Sequence, residues 1–297
     1  MHAPLADPSA ASSDPCGICG GRGKRFRFKY GYPILLCQSC GNAFVPRSLI
    51  PANLEEIYSK GYFEGEQETG YPGYLADAPL ITKNFEDRLR SLESLPVKGR
   101  RLLDVGAAYG LFLGAAKSRG WNASGVEIAP DCALEASRIS GAEVLCGDFA
   151  TMPLSGAFDV IVMLDVIEHL RDPVASLRRA HELLSPGGYL VVDTGDIETP
   201  WARVFGNRWH FLDPPQHLFY FSARGLRTAL ATAGFRGEIR LTRPGRRVSI
   251  TNIAHKLAAG APGGALKSML ARLARMSVPL ALYLNFGDGM VVAARRD

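Results

Sequence analysis

The sequence predicts an α/β protein in which a doubly wound parallel sheet follows a small metal-binding ribbon. From residue 100 onward, strand patterns alternate with helical patterns, which predicts parallel strands joined by right-handed helical crossovers. Two Cys-x2-Cys pairs precede that region at a spacing typical of zinc sites. A chain of 297 residues can bury the core that such a sheet requires.

The N-terminal part is expected to hold a tail and then the ribbon. Residues 1–15 are rich in alanine, proline and serine, which favours a flexible tail, and residues 16–46 contain both cysteine pairs. Four thiolates satisfy tetrahedral zinc and leave no position for water or substrate, so the predicted zinc is structural. Two disulfides are the alternative, which is not expected in a chain without an export signal. The predicted zinc ligands are Cys16, Cys19, Cys37 and Cys40.

Between the two cysteine pairs, cations and aromatic residues alternate from Lys24 to Tyr30. A period of two predicts a strand, which with a turn near Gly31 forms one arm of a hairpin. The favoured interpretation places the aromatic side chains inward and the cations in water. Aromatic residues interleaved with cations also fit single-stranded nucleic acid, which is the second interpretation.

Residues 47–95 are interpreted as a helical and aromatic segment that connects the ribbon to the main domain. Many aromatic residues in a glycine-rich stretch predict a lid or the wall of a pocket. Packing between the ribbon and the main domain is the alternative. The aromatic residues concerned are Tyr58, Tyr62, Phe63, Tyr71 and Tyr74.

The main domain is predicted over residues 96–297. Its strands are expected at 101–105, 123–128, 142–146, 158–164, 189–193, 235–241 and 288–295. Its helices are expected at 111–119, 131–140, 173–184 and 223–234. Ligands of such sheets bind beyond the carboxyl ends of the strands, near the switch point beside the first strand.

Acidic and small residues stand where these predicted strands end. Glu127 ends the second strand, where a carboxylate can accept both hydroxyl groups of a ribose. The turn after the first strand is built from small residues, which let the backbone approach a ligand closely. Its candidate residues are Asp104, Gly106, Ala108 and Gly110. The candidates after the third and fourth strands are Asp148, Phe149, Leu164 and Asp165.

These residues resemble the cofactor site of the class I S-adenosylmethionine-dependent methyltransferases. The resemblance covers roughly residues 96–297 and includes the Leu-Leu-x-Pro-Gly-Gly turn at 183–188. It implies S-adenosylmethionine as cofactor and a Rossmann-like seven-stranded methyltransferase sheet, whose last strand inserts antiparallel beside the fifth. The family commonly has glycine where this chain has Ala108, and an alanine methyl group fits there if its φ is negative.

The same resemblance implies a part for each candidate residue. The ribose would be held by Glu127. The methionine part of the cofactor would be lined by Asp104, Gly106, Ala108 and Gly110. The adenine would be bounded by Ile128, Asp148 and Phe149, with Leu164 and Asp165 at the mouth of the pocket.

A second metal site is considered in the turn after the fourth strand. If this turn is helical, Asp165, Glu168 and His169 share one face and form half of a divalent-cation site. Some methyltransferases with a similar Glu-x-x-Glu-His run use it to hold Mg²⁺, so the resemblance implies Mg²⁺ here. The favoured alternative is a helix start in which Asp165 lies near the cofactor and the other two residues are local braces.

The segment 199–222 is long, aromatic and rich in proline for a connection in this fold, which favours a substrate pocket. His210 and His217 are the candidate general bases, because a neutral imidazole can accept a proton as a methyl group arrives. Zinc-ribbon sugar C-methyltransferases resemble the chain near His217 and carry a Glu-His pair there, whereas this chain has Gln216 in place of the glutamate. A second substrate-loop insertion is expected near 251–285.

Charge is distributed unevenly along the chain, whose formal net charge is +5. Residues 101–200 carry 7 basic and 14 acidic side chains, and residues 201–297 carry 15 basic and 4 acidic ones. The acidic middle suits a cationic cofactor. The basic final third suits phosphate, nucleic acid or an anionic membrane surface, and a solvated basic face is the alternative.

The leading hypothesis is S-adenosylmethionine-dependent methyl transfer to a small or carrier-linked biosynthetic intermediate such as a nucleotide sugar. The first alternative is an RNA methyltransferase that binds RNA through the ribbon and the basic final third. The second alternative is a non-catalytic, ribbon-bearing binding module. Without a long apolar run or an export signal, the protein is expected to be soluble and cytoplasmic, with no transmembrane segment.

Overall fold

The computed structural model describes residues 14–51, 74–260, 263–274 and 281–297. The predicted tail as far as residue 13 lies outside the described residues. So do four of the aromatic residues of the connecting segment, namely Tyr58, Tyr62, Phe63 and Tyr71. No helix within the described ranges is long and apolar enough to cross a membrane.

The strands of the ribbon come first in the chain and those of the main domain follow. The ribbon contains β1 (Gly23–Lys29), β2 (Tyr32–Cys37) and β3 (Ala43–Phe44). The later strands are β4 (Arg101–Val105), β5 (Asn122–Glu127), β6 (Glu143–Cys146), β7 (Phe158–Leu164), β8 (Leu184–Gly195), β9 (Phe219–Tyr220), β10 (Ile239–Thr242), β11 (Arg246–Ser249), β12 (Ala281–Leu284) and β13 (Gly289–Arg295).

The main domain is built on a seven-stranded sheet with the order β10-β13-β8-β7-β4-β5-β6. Six of the seven strands run in the same direction, and β13 lies antiparallel between β8 and β10. This arrangement confirms the predicted α/β fold and the antiparallel insertion of the last strand beside the fifth strand of the domain.

Helices alternate with these strands. They are α1 (Ala78–Glu93), α2 (Leu111–Ser118), α3 (Pro130–Ser140), α4 (Pro173–Leu183), α5 (Pro200–Phe205), α6 (Ala223–Thr232), α7 (Ile250–Gly260) and α8 (Ala265–Ala274). They cover both faces of the main sheet, and its central strands are therefore buried on both sides. In β7, Val160 and Val162 pack with α1 and α2, whereas Ile161 and Met163 pack with α4 and α6.

Part of the basic final third forms a small sheet that the sequence did not predict. Its strands β11 and β12 pair antiparallel. Helices α7 and α8 lie between these strands in the chain, within the insertion expected near 251–285. The backbone amide of Arg247 in β11 donates to the Asn84 side chain of α1 at 2.8 Å, so this sheet is anchored to the first helix.

The ribbon is continued by a strand of the main domain, because its sheet has the order β1-β2-β3-β9. Since β9 belongs to the aromatic segment 199–222, the ribbon and that segment share one sheet. They also share an apolar cluster, in which Ile34 and Val45 of the ribbon pack with Trp209 and Leu212.

The side chains of β1 point opposite to the favoured prediction. Phe26, Phe28 and Tyr30 are 38%, 39% and 50% exposed, whereas Arg27 and Lys29 are half-buried. The prediction of inward aromatic residues was wrong because the neighbouring segment offers carbonyl oxygens as partners. The Arg27 guanidinium donates to the carbonyls of residues 206 and 202 at 2.6 and 2.8 Å, and the Lys29 ammonium donates to the carbonyl of residue 212.

Candidate functional site

The glycine-rich turn after β4 reverses the chain between a buried strand and α2. Gly110 has φ +75°, and a Cβ atom at this position would lie 2.6 Å from the Ala136 carbonyl oxygen of α3, so only glycine fits. Ala108 has φ +48°, so the condition under which its methyl group fits without strain, a negative φ, is not met. The turn therefore holds a left-handed alanine, which costs about 1–2 kcal/mol and requires support from its surroundings.

Glu127 at the end of β5 provides that support. One carboxylate oxygen of Glu127 accepts the backbone amide of Ala108 at 2.8 Å, and the other accepts the backbone amide of Ala129 at 3.0 Å. The residue joins the turn after β4 to the start of α3. Glu127 is thus a structural brace of the turn as well as the predicted ribose ligand.

Asp104 and Glu127 form an acidic pair beneath the turn. Both are buried, and β4 and β5 are adjacent parallel strands. Burial raises the pKa of Asp104 well above its ordinary value, and the Glu127 charge raises it further. Burial also raises the pKa of Glu127, although its hydrogen bonds from backbone amides oppose this shift. Such a pair favours a cationic ligand, which would relieve the repulsion.

The third predicted acid lies at the same edge of the sheet. Strand β6 pairs with β5, and the backbone amide of Gly147 just after it donates to the Glu127 carbonyl at 2.9 Å. Asp148 follows, and its carboxylate accepts the amide of residue 150 at 2.9 Å. The Phe149 side chain is buried in the main core, and Ile128 is 37% exposed beside the strand ends.

Asp165, predicted at the mouth of the pocket, directly follows β7 and has φ +53°. The side chain of Leu164, the last residue of β7, is partly buried and packs against the core. The Asp165 backbone amide donates to the Asp193 carbonyl at 2.9 Å, and its carboxylate lies 3.8 Å from the Arg246 guanidinium. Asp193, two residues before the end of β8, accepts a hydrogen bond from the Arg88 guanidinium of α1 at 2.6 Å. Burial raises the pKa of Asp193, and the Asp165 charge adds to this. Sequence reasoning missed these two arginines, because they come from distant elements without a local motif.

The predicted Mg²⁺ face is not formed. Only Ile167–His169 make a single 3-10 turn, and Asp165 precedes it in a left-handed conformation, so the three residues do not share a helical face. Glu168 and His169 meet His217 instead, and one ligand atom from each of the three lies within 4.8 Å of the others. Two imidazoles and one carboxylate suit a transition metal better than Mg²⁺, which prefers oxygen ligands.

Backbone carbonyls fix the two imidazole rings of this cluster. Nδ1 of His217 lies 2.6 Å from the Phe211 carbonyl oxygen, and Nδ1 of His169 lies 2.9 Å from the Gln216 carbonyl oxygen. Since a carbonyl oxygen can only accept, Nδ1 carries the proton in both rings, and Nε2 is the basic nitrogen of each neutral ring. Burial and the neighbouring His217 lower the pKa of His169 to about 3.

Glu168 supplies the carboxylate that the sequence lacks at Gln216. It is 2% exposed, and no hydrogen bond from the described residues reaches either carboxylate oxygen. Burial raises the pKa of Glu168 well above its ordinary value, and the Asp165 charge adds to the shift. Glu168 and His217 therefore form a Glu-His pair in the folded protein. The sequence did not reveal this pair, because the two residues are far apart along the chain.

His210, the second candidate base, lies outside this cluster. Its Nδ1 is 3.6 Å from a carboxylate oxygen of Asp288, and that same oxygen accepts the Trp209 indole N–H at 3.0 Å. The His210 ring lies at a tilt against Phe211 with centroids 4.4 Å apart. The two candidate histidines therefore have different carboxylate neighbours. His217 lies beside Glu168, whereas His210 lies beside Asp288.

The four cysteine thiols of the ribbon come together and are not joined by disulfides. The four sulfur atoms all lie within 4.8 Å of one another. The Sγ atoms of Cys16 and Cys40 are 3.7 Å apart, and those of Cys19 and Cys37 are 3.5 Å apart. Tetrahedral zinc with Zn–S bonds of about 2.3 Å places its sulfur ligands about 3.8 Å apart. The observed separations therefore fit a zinc site with four cysteine ligands.

Comparison with known proteins shows the family to which the fold belongs. The model of a family described as "Methyltransferase domain" matches residues 78–238 of the chain. A ubiquinone biosynthesis O-methyltransferase of Azorhizobium caulinodans is 33% identical over 41% of this chain and 49% of its own length. The same-named protein of Pseudomonas aeruginosa is 29% identical over 38% of this chain and 51% of its own. The chain thus spans about half the length of these curated relatives.

A solved structure from Thermotoga maritima has the same fold. It is an S-adenosylmethionine-dependent methyltransferase described as a possible histamine N-methyltransferase. It superposes with a TM-score of 0.52 at 22% identity, over 79% of this chain and 97% of that one. At this identity the likeness establishes the fold, and the chemistry has to be argued from the residues.

Proposed function

Since this chain belongs to the family of methyltransferase domains, we propose that it transfers a methyl group from S-adenosylmethionine to a small or carrier-linked biosynthetic intermediate. The observation that carries the proposal is the acidic edge formed by Asp104, Glu127 and Asp148. These residues lie at or next to the carboxyl ends of three neighbouring parallel strands, beside a turn in which Gly106 and Gly110 have no room for a side chain. A buried acidic pair next to a tight turn suits a nucleoside that carries positive charge.

The residues present fit this cofactor. When bound, S-adenosylmethionine supplies an electrophilic methyl group on a positively charged sulfur. Asp104 and the turn at 106–110 would hold its methionine part, and Glu127 would hold the ribose. Ile128, Asp148 and Phe149 would bound the adenine, with Leu164 and Asp165 at the mouth. The buried carboxyl groups serve binding more than rate, because the positive charge that they stabilise is present before the reaction.

On the acceptor side, His217 would act as the general base. Its Nδ1 proton is committed to the Phe211 carbonyl, so Nε2 is the nitrogen that would accept a proton from the acceptor. The adjacent Glu168 would stabilise the imidazolium that forms. The names of the curated relatives favour a hydroxyl group as acceptor. A nucleotide sugar is the finer proposal, supported by the resemblance of the four-cysteine ribbon and His217 to sugar methyltransferases.

A divalent metal on Glu168, His169 and His217 is the competing role for this cluster. The two roles exclude each other, because a metal would occupy the His217 nitrogen that a base requires. Metal analysis of the purified protein separates them. If His217 is a general base, the protein should contain one zinc ion per chain, held by the ribbon. If the cluster binds a metal, the protein should contain a second ion, which should be lost in Glu168→Gln.

RNA methylation is a second candidate function, favoured by the exposed strand β1. Phe26 and Phe28 in this strand and Tyr30 just after it are exposed, and residues 15–54 contain six Lys or Arg and no Asp or Glu. Bases could stack on such side chains while the cations neutralise phosphates. Binding of a labelled single-stranded RNA would fall steeply with salt and would weaken in Phe28→Ala if this function is correct.

Calorimetry with S-adenosylmethionine tests the proposed function first. Absence of binding at millimolar cofactor would overturn it and leave the non-catalytic binding module. If the cofactor binds, the protein is incubated with methyl-labelled S-adenosylmethionine and a metabolite extract. Label in a small hydroxyl-bearing compound supports the proposal, whereas label confined to RNA supports the second candidate.

A further inference from the structure

The third ribbon strand pairs with the segment that carries His217. Strand β3 pairs antiparallel with β9, so that Ala43 lies opposite Tyr220 and Phe44 opposite Phe219. The backbone amide after Phe44 extends this pairing by donating to the carbonyl of residue 218 at 2.8 Å. The ribbon therefore supplies hydrogen bonds to the backbone directly after His217.

The cysteine cluster holds the other end of β3. Cys37 and Cys40 flank the turn that leads into this strand, and the Cys37 backbone amide donates to the Asn42 carbonyl at 2.8 Å. The Cys40 carbonyl accepts the Ser222 hydroxyl at 3.3 Å. Strand β3 begins at Ala43, directly after this turn, so the position of the metal ligands determines the position of the strand.

Asn42 is the residue that joins the cluster to the main domain. It is fully buried, and its side-chain oxygen accepts the Ser222 backbone amide at 2.9 Å. Ser222 in turn caps α6, because its hydroxyl accepts the Gly225 amide at 2.9 Å. A Cβ atom at position 225 would lie 1.7 Å from the Asn42 side-chain oxygen, so α6 and Asn42 are packed as closely as a glycine allows.

From β9 the contacts lead directly to the acceptor-side cluster. The Tyr220 hydroxyl donates to the His217 carbonyl at 2.9 Å, and the Leu218 amide donates to the Glu168 carbonyl at 2.8 Å. Glu168 is thus held by the Leu218 backbone amide and His217 by the Tyr220 side chain, and both donors lie on the segment that pairs with β3. Both hydrogen bonds are accepted by main-chain carbonyls, so they fix the backbone from which the two side chains extend.

Strand β1 clamps the beginning of the same segment. Arg27 donates to the carbonyls of residues 202 and 206, and Lys29 donates to the carbonyl of residue 212. The Asn207 side chain returns a hydrogen bond to the Phe28 carbonyl at 3.1 Å. The ribbon thereby fixes the segment both before and after the buried residue Trp209.

We infer that the four-cysteine ribbon is a positioning element of the acceptor site: its metal fixes β3, and Asn42 transmits this to the backbone that sets His217 against Glu168. This inference rests on the proposed function for the reaction that it serves. Asn42 is a positioning residue, because it acts through Ser222 and β9. Loss of the metal should disable acceptor-side chemistry while the cofactor site, on β4–β6, continues to bind its ligand.

Two single substitutions test the coupling from opposite sides. Asn42→Ala removes the acceptor for Ser222, and Gly225→Ala pushes the Asn42 side chain away, while all four thiolates remain. Each should lower kcat by about 10- to 100-fold, since small misplacements of a catalytic group cost that much, and should leave the dissociation constant for S-adenosylmethionine nearly unchanged. Asn42→Asp keeps the acceptor oxygen and should recover much of the loss. Lys24→Ala, on the exposed side of β1, is the matched control.

A readout independent of turnover uses Trp209, which lies in the shared cluster at 1% exposure. In a Trp121→Phe, Trp201→Phe background, its emission should shift to longer wavelength in Asn42→Ala, Gly225→Ala and Cys19→Ser. Cys146→Ser, an exposed thiol outside the ribbon, should leave the emission unchanged. The Cys19→Ser protein should also lose zinc while still binding S-adenosylmethionine.

The outcomes separate the two proposals. A protein that binds no S-adenosylmethionine overturns the proposed function, but the emission shifts can still be measured and would still support the coupling. Unchanged emission and unchanged kcat in Asn42→Ala and Gly225→Ala would overturn the coupling. Equal losses of kcat and cofactor affinity, without rescue in Asn42→Asp, would also overturn it, because they indicate general destabilisation.

Discussion

The imidazole rings of His169 and His217 meet edge to face, with centroids 4.6 Å apart and an interplanar angle of 84°. Each ring directs its Nδ1 proton to a backbone carbonyl, and Glu168 lies beside both rings. Because the orientation of each ring is set by main-chain atoms, the basic nitrogens keep their positions without a bound ligand. A preorganised base needs less rearrangement when an acceptor arrives.

His217→Ala should lower methyl transfer by about 10²- to 10⁴-fold, the usual contribution of a general base. Cofactor affinity should change little, because His217 lies on the segment after β8 and is not among the predicted cofactor ligands. His210→Ala is the matched variant and should retain most activity, since its partner is Asp288. Steady-state kinetics and calorimetry on both variants check this. A larger loss in His210→Ala would reverse the assignment.

Glu127→Ala should weaken the binding of S-adenosylmethionine and also destabilise the protein. The backbone amides of Ala108 and Ala129 would lose their acceptors, which costs about 1–3 kcal/mol for each buried group left unpaired. Calorimetry and thermal unfolding measure the two effects. Glu143→Ala, at an exposed position of the neighbouring strand, is the control. Equal behaviour of the two variants would contradict the bracing role.

Gly110→Ala should lower the free energy of unfolding by about 2 kcal/mol or more, through left-handed strain and the clash with the Ala136 carbonyl. Gly114→Ala in α2 is the matched control, because its nearest neighbouring atom would be 3.7 Å away. That variant should gain up to about 1 kcal/mol from helix propensity. Denaturant unfolding of both proteins measures the difference, and similar values would count against the constraint at position 110.

The affinity for S-adenosylmethionine should rise with pH. The pKa values of Asp104 and Glu127 are raised in the cofactor-free protein, so both groups retain protons above their ordinary pKa values of 3.8 and 4.5. A cationic ligand favours the ionised forms, and its binding releases these protons. S-adenosylhomocysteine, which lacks the sulfonium charge, should show a smaller slope. Calorimetry in two buffers of different ionisation enthalpy tests this, and equal slopes would refute it.

Because of the same raised pKa values, the cofactor-free protein should become less stable as the pH increases. A carboxyl group whose pKa is higher in the folded than in the unfolded state contributes most stability below the unfolded value and loses it as the pH rises through the folded one. Asp104→Asn should therefore stabilise the cofactor-free protein most at pH values above the folded-state pKa of Asp104. Unfolding curves of the variant and the wild type, measured from mildly acidic to mildly alkaline pH, give the difference in the free energy of unfolding. A difference that does not depend on pH would contradict the prediction.

Purified protein should contain one zinc ion per chain. Cys19→Ser should lose most of it, because three thiolates bind zinc more weakly than four, and Cys146→Ser should retain it. Elemental analysis gives the stoichiometry. Disulfide formation with no metal in freshly purified protein would contradict the zinc prediction.

Sequence patterns determined the main sheet because both faces of its central strands are buried and their residues are apolar. The nearly continuous apolar run from Phe158 to Leu164 is typical of a central parallel strand, and β7 occupies that place in the sheet. The acids at 104, 127 and 148 followed, since the ends of adjacent parallel strands must meet at one edge. The metal-binding spacing of the four cysteines was equally local.

Only the tertiary structure decided which side chains meet across long separations. The outward aromatic residues of β1 depend on carbonyl acceptors at 202, 206 and 212, which no local pattern contains. Glu168 and His217 meet because β9 joins the ribbon sheet, and that pairing links positions 43 and 220. Periodicity specifies which face of an element is buried, but the partner on the other side is set by loop paths and by competition for buried hydrogen bonds.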